Sequence, residues 1–299
     1  MTSSREKNQL QFYQQRKIPS QASRWWKNFS GNKLAYSALI LLGSIIIVAL
    51  FAPWLAPFDP AQQFENLFVP PSWYELGQAE YLLGTDELGR DILSRLIYGA
   101  RLSLKLAFIV VLVAASLGVL LGCVTSLSYK WLDMIILRVM DLVLALPSLL
   151  LAIVIVSIIG PGLPNAIYAV AIVLVPHFVL VTRSAIKHEL NKEYITAMLL
   201  DGAGKFRLFT FSILPNILPA LIVQLTLAFS TAILEIAALG FLGLGAQAPY
   251  PEWGTILSES HNNIISAPWT VTLPGLAIFF TLLSINLVGD GLRDAMVLD

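Results

Sequence analysis

The sequence predicts an all-α, polytopic membrane bundle of six transmembrane helices. Three observations carry that prediction: a composition too apolar for a water-facing surface, five long stretches without a charge, and basic residues gathered in alternate loops. Of 299 residues, 57 % are apolar and 13 % are charged, and the mean hydropathy is +0.74. A soluble domain carries roughly 25 % charged residues, and a soluble chain this apolar would expose large adhesive patches. The charge-free stretches run over 34–58, 106–129, 142–182, 208–234 and 261–289. About 20 apolar residues cross the hydrocarbon core as a helix, and helices satisfy every backbone polar group within one segment.

Residues 1–33 form a basic N-terminal segment, with Arg5, Lys7, Arg16, Lys17, Arg24, Lys27 and Lys33 against Glu6. Basic segments stay in the cytoplasm, so this end is expected there. Trp25 and Trp26, between Arg24 and Lys27, suit an interfacial segment. The six-helix domain occupies 34–299. Its first span, 34–53, starts too late and runs too long for a cleavable signal.

After it comes Gly84-Thr85-Asp86-Glu87-Leu88-Gly89-Arg90-Asp91. Thr85 is placed to cap a helix start, and Asp86 and Glu87 suit its positive end. Ile92, Leu93, Leu96, Ile97 and Ala100 share one apolar face. They predict a short amphipathic helix at the outer interface. The second span follows at 103–126 and the third at 134–158. The turn signal Gly160-Pro161-Gly162-Leu163-Pro164-Asn165 separates the third from the fourth, at 166–184. The fifth is expected at 214–238 and the sixth at 269–289. Six crossings place both termini in the cytoplasm. The loops 127–133 and 185–213 then lie inside. The outer loops, 54–102 and 239–268, hold nine acids and three arginines.

Catalytic chemistry has no foothold. Gly202-Ala203-Gly204-Lys205 resembles a phosphate loop but lacks its first glycine and its Ser or Thr, since Leu199 and Phe206 stand there. Neither Gly-x-Ser-x-Gly nor His-Glu-x-x-His occurs. The single cysteine, Cys123, and the dispersed His177, His188 and His261 offer no metal-ligand spacing. A net charge of zero points to no nucleic acid. If the protein uses ATP energy, another chain is expected to hydrolyse it.

Four polar residues inside predicted spans stand out, because charge there is costly. Arg138 and Asp141, at i and i+3, can pair or simply sit at the interface. Glu235 can make a functional contact within the bundle or bond to a neighbouring helix. His177 suits a packed polar residue. Pro147, Pro176 and Pro219 fall inside helices, where each removes a backbone bond.

The long inner loop is the informative one. A helix over 193–201 would stop at Gly202, a suitable C-cap residue. Ile195, Met198 and Leu199 would share a face. Periodicity leaves open whether that face docks into another protein or packs on its own bundle. The stretch resembles the coupling motif of ATP-binding-cassette (ABC) importer permeases at Thr196, Ala197, Met198, Gly202, Ser212, Leu214 and Pro215. Leu83–Asp91, Ala145–Ile153, Ala238–Gly245 with Pro251-Glu252-Trp253-Gly254, and Asn286–Ala295 look like hallmarks of peptide-importer permeases of the C type.

The resemblance covers about 34–295 and implies a permease subunit that imports short peptides and is not itself an enzyme. It implies Glu193, Tyr194, Thr196, Ala197, Met198, Asp201, Gly202, Ala203 and Pro215 as coupling residues within the loop 185–213. It also implies a homologous permease partner, two cytoplasmic ATPase subunits holding ATP and magnesium, a periplasmic peptide-binding protein, and surrounding lipid. Antimicrobial peptides or haem are alternative cargoes. Outside the family, a standalone secondary transporter or channel is the rival reading, although no internal repeat of the kind such carriers show is evident.

Overall fold

The computed structural model describes residues 20–297. Arg5, Lys7, Arg16 and Lys17, on which the expected orientation partly rests, lie outside them. α1 spans Gln21–Gly31 and α2 spans Lys33–Leu50. Asn32 separates them and caps α2, its side chain accepting from the N–H groups of Leu34 and Ala35. The short α3, Ala52–Leu55, opens a long irregular loop.

α4, Ile92–Leu127, is one helix of 36 residues, about 54 Å long at 1.5 Å per residue. This corrects the expected separate interfacial helix and the span beginning at 103. No breaker lies between Ala100 and Leu106. Arg101 and Lys105, whose charges fall in this stretch, are exposed. The start is capped by Asp91, whose carboxylate accepts from the Ser94 N–H at 2.8 Å. Thr85 does not cap it. Its hydroxyl accepts from the Val69 N–H and donates to the Asn66 carbonyl, closing the loop instead.

The third span is also corrected. α5, Lys130–Leu144, and α6, Ser148–Ile159, meet at 93°. Pro147 stands just before α6 rather than inside a helix. It disfavours helical geometry at Leu146 and offers no N–H to continue α5. Among the described residues, five helices are long and apolar enough to cross a membrane, and six spans result when the bent pair counts as one.

The expected turn at 160–165 leads into α7, Leu163–Leu190, which retains Pro176. α8 is Glu193–Leu200. α9, Lys205–Leu208, runs through a π-helical turn at Phe209–Ile213 into α10, Leu214–Phe241, which retains Pro219. Pro215 has no N–H for the Phe211 carbonyl, and the turn before it widens. α11, Trp253–Ser260, precedes α12, Trp269–Val297. α7 and α12 both outrun their expected ends, because charged residues continue a helix readily once it leaves lipid.

The core lies between α4, α7 and α10. Small residues let α4 and α7 pack side by side: a Cβ at Gly118 would stand 2.4 Å from the Cβ of Phe178, and one at Gly122 would stand 2.6 Å from that of Thr182. Such contacts replace the hydrophobic drive that lipid cannot supply.

At the end of the bundle where α4 begins, a buried charge network binds loop to helix. Asp86 accepts from Arg90 Nε at 2.7 Å and from Arg95 Nη1. Glu259 of α11 accepts from Arg90 Nη2 at 2.8 Å and Arg95 Nη2 at 2.6 Å. Nearby, Glu252 caps α11 by accepting from the Thr255 N–H at 3.0 Å, and takes the Ser103 hydroxyl at 2.9 Å. Burial pushes the Glu252 carboxyl up, opposed by hydrogen bonds from Gly254, Ser103 and Thr255.

Candidate functional site

At the other end of α4, α8 lies across the ends of α7 and α10. Ile195 is buried, and it packs with Ile186, Leu208, Ile213 and Ile217, with Met198 at the edge of that cluster. The Ser212 hydroxyl contacts Met198 Sδ at 3.2 Å. Leu199, expected on the same face, instead stays outside at 49 % exposure, beside Leu200 at 84 %. The expected face is thus divided: Ile195 and Met198 hold α8 to its own bundle, and Leu199 stays open beside Leu200, with Phe206 on α9 and Phe211 in the turn after it also exposed.

The stop at Gly202 is a Schellman motif. The Ala203 N–H donates to the Met198 carbonyl at 3.0 Å, and the Gly202 N–H to that of Leu199 at 3.1 Å. Gly202 has φ of +82°, the left-handed region that a Cβ disfavours. Asp201 is the preceding cap residue. Glu193 opens the first turn, and Thr196 and Ala197 are exposed. Pro215 is the second residue of α10.

Tyr194 ties these pieces together. Its hydroxyl donates to Glu189 Oε1 on α7 and accepts from Asn216 Nδ2 on α10 at 3.0 Å. Glu189 also pairs with Lys192 at 2.7 Å. Burial, then the Glu189 carboxylate, raises the Tyr194 phenol above its ordinary value, so it remains a donor at neutral pH.

A second clamp joins α5 to α7. Arg183 makes a two-pronged contact to Asp133, Nε at 2.7 Å and Nη2 at 2.8 Å. Lys187 reaches the same carboxylate at 2.6 Å. Such charge-assisted, bidentate pairs fix orientation as well as contributing energy. Sequence reasoning missed Asp133, Arg183, Lys187, Glu189 and Asn216. The signal available was the i, i+4 spacing of Arg183 and Lys187 at the end of the fourth span, with an acid, Asp133, just before the preceding one.

The structure does not unite Arg138, Asp141 and Glu235. Arg138 and Asp141 are exposed on α5, share a surface groove with Asp133, and form no ion pair with each other. Glu235 is 4 % exposed and lines a different cavity, of about 270 Å³, with Ser148, His177 and Thr231. Among the described residues no group of three or more His, Cys, Asp or Glu side chains could hold a metal. The arrangement around α8 joins exposed apolar side chains to α7 and α10 through packed, hydrogen-bonded contacts.

Comparison with known proteins agrees with this architecture. Residues 114–297 match the family described as binding-protein-dependent transport system inner membrane component. Residues 20–71 match the N-terminal TM domain of oligopeptide transport permease C. The chain is 54 % identical to the di/tripeptide transport system permease protein DppC of Pseudomonas aeruginosa over 279 residues, 93 % of this chain and 92 % of the relative. It is 51 % identical to the dipeptide transport system permease protein DppC of Escherichia coli K12, covering 91 % of each chain. It is 41 % identical to the peptide transport system permease protein SapC of Escherichia coli O6:H1, over 95 % of this chain and 97 % of that one. The fold is similar to a chain of the inward-facing MetNI methionine ABC transporter, with a TM-score of 0.56 and 18 % identity over 69 % of this chain and 97 % of that one.

Proposed function

The chain belongs to the binding-protein-dependent transport system inner membrane components, and from that premise we propose that it is one of two membrane subunits of a peptide importer driven by separate ATPases. The carrying observation is the divided face of α8. Ile195 and Met198 anchor it to α7 and α10, while Leu199 and Leu200 stay exposed, as do Phe206 and Phe211 of the segment that follows. An apolar helix face of this kind fits a groove on another protein.

In this reading the α8 end is cytoplasmic, as are both termini, and the coupling residues Glu193–Ala203 with Pro215 meet an ATPase subunit. ATP and magnesium reside on two such subunits. Closure of the ATPases moves α8, and Tyr194 and the packed isoleucines carry that motion to α7 and α10. A homologous permease completes the translocation path, and a periplasmic binding protein delivers peptide at the end bearing Asp86 and Glu259. Residues 1–33 serve as the cytoplasmic segment and 34–299 as the permease domain. Peptide cargo is supported by the names of the similar proteins, which are di/tripeptide, dipeptide and peptide permeases.

Reconstitution tests this. Vesicles holding the permease pair and the ATPases, given the binding protein and ATP, are expected to accumulate labelled Ala-Ala, whereas this chain alone hydrolyses no ATP. Turnover that follows the isolated chain, or peptide accumulation without any ATPase subunit, would contradict the proposal.

A further inference from the structure

Glu235 is the least explained side chain in the molecule. It sits within α10, 4 % exposed, and neither carboxylate oxygen has a hydrogen-bond partner among the described residues. Ser148 stands close enough to influence it, but outside hydrogen-bonding geometry. A buried carboxylate is costly unless paired, and one left bare inside a span defaults to function.

The cavity it lines is built where the α5–α6 break meets α7 and α10. Val143, Leu144, Leu146 and Ser148, on both sides of Pro147, line it. Its walls are apolar side chains from α5 to α7, interrupted by Glu235, the hydroxyls of Ser148 and Thr231, and His177 at the exposed rim. No lysine or arginine lines it. At about 270 Å³, the space exceeds the roughly 30 Å³ share of one water.

We infer that the Glu235 cavity holds the primary ammonium group of a passing peptide. The inference rests on the peptide-import reading above and names the chemical group the path recognises. An ammonium offers three N–H donors and no acceptor. The site offers three acceptor groups: the carboxylate, Ser148 Oγ, and Thr231 Oγ1, whose own proton goes to the Leu227 carbonyl at 3.0 Å. A divalent cation suits the site poorly, because it wants six or more oxygen ligands or several retained waters. Apolar walls leave the rest of the peptide loosely held, as release on the far side requires.

The test uses the purified permease–ATPase complex without its binding protein. Equilibrium dialysis compares labelled Ala-Ala with N-acetyl-Ala-Ala, which lacks the ammonium. Wild-type complex is expected to prefer Ala-Ala by about tenfold or more, the scale of a charged hydrogen bond. Glu235→Gln should erase the preference and cut vesicle uptake about tenfold, while the loaded binding protein still stimulates ATP hydrolysis. Ser148→Ala and Thr231→Val, on different helices, should each weaken Ala-Ala binding and leave N-acetyl-Ala-Ala unchanged. Wild-type preference and uptake in Glu235→Gln would overturn the assignment. So would loss of the partner permease from the Glu235→Gln complex, which would make Glu235 a pairing residue between subunits. Absence of any peptide uptake by the wild-type complex would instead fell the peptide-import reading, and this inference with it.

Discussion

Replacing Asp86 with alanine is expected to destabilise the protein by about 3–5 kcal/mol, the cost of stranding a buried charge. Asp86 takes hydrogen bonds from the N–H groups of Leu88 and Arg90 through one oxygen, and from the Arg90 and Arg95 side chains through the other. Its loss leaves two guanidinium groups, 5 % and 1 % exposed, sharing Glu259. Thermal unfolding of the detergent-purified protein and abundance in the membrane should both fall. Adding Arg95→Met to Asp86→Ala should recover part of the loss, because it removes a stranded charge while keeping apolar volume. A double variant as unstable as the sum of its single changes would mean that Asp86 acts through the loop turn and not through the arginines.

Gly202→Val should separate transport from folding. At φ of +82° a β-branched residue is strained by roughly 1–2 kcal/mol. A Cβ there would meet no atom within 4 Å, so the effect is backbone strain at the Schellman stop, without a steric clash. The strain falls at the end of α8, outside the apolar stretches whose hydrophobicity drives insertion. Membrane abundance should stay near wild type, ATPase association should weaken and peptide uptake should be lost. Gly202→Asn should retain most uptake, since asparagine visits the left-handed region more readily. Equal loss in both variants would show that the position needs the absence of a side chain and not a left-handed turn.

The spans were legible because charge is so costly in lipid that its absence over twenty or more residues has one ready explanation. The stop at Gly202 was legible for a comparable reason, since few residues other than glycine suit that conformation. The break at Pro147 was not. The apolar stretch runs across it without interruption, and proline kinks some helices and ends others according to what packs nearby. The continuity of α4 was missed because the interfacial and membrane-crossing patterns differ, although long side chains such as Arg101 and Lys105 can extend from one continuous helix.

The α8 face was half legible. Ile195 and Leu199 share an i, i+4 relation, yet contact with Ile186 and Ile217 reaches Ile195 alone, and no local pattern encodes where a neighbouring helix ends. The Asp133–Arg183–Lys187 and Glu189–Tyr194–Asn216 contacts join separate elements and appear only in three dimensions. Glu235 was visible as a charge within a span, but its cavity lies beside the bend that the sequence concealed.

The central claim is that the outward face of α8 seats an ATPase subunit. Cys123, the single cysteine, is replaced by serine, and Leu200→Cys or Ile195→Cys is introduced into the assembled complex for attachment of a short photoreactive cross-linker. Leu200 is 84 % exposed and Ile195 1 %. The account predicts an adduct between Leu200→Cys and the ATPase subunit, with Ile195→Cys silent. An assembled, transport-active complex in which Leu200→Cys never reaches the ATPase would contradict it.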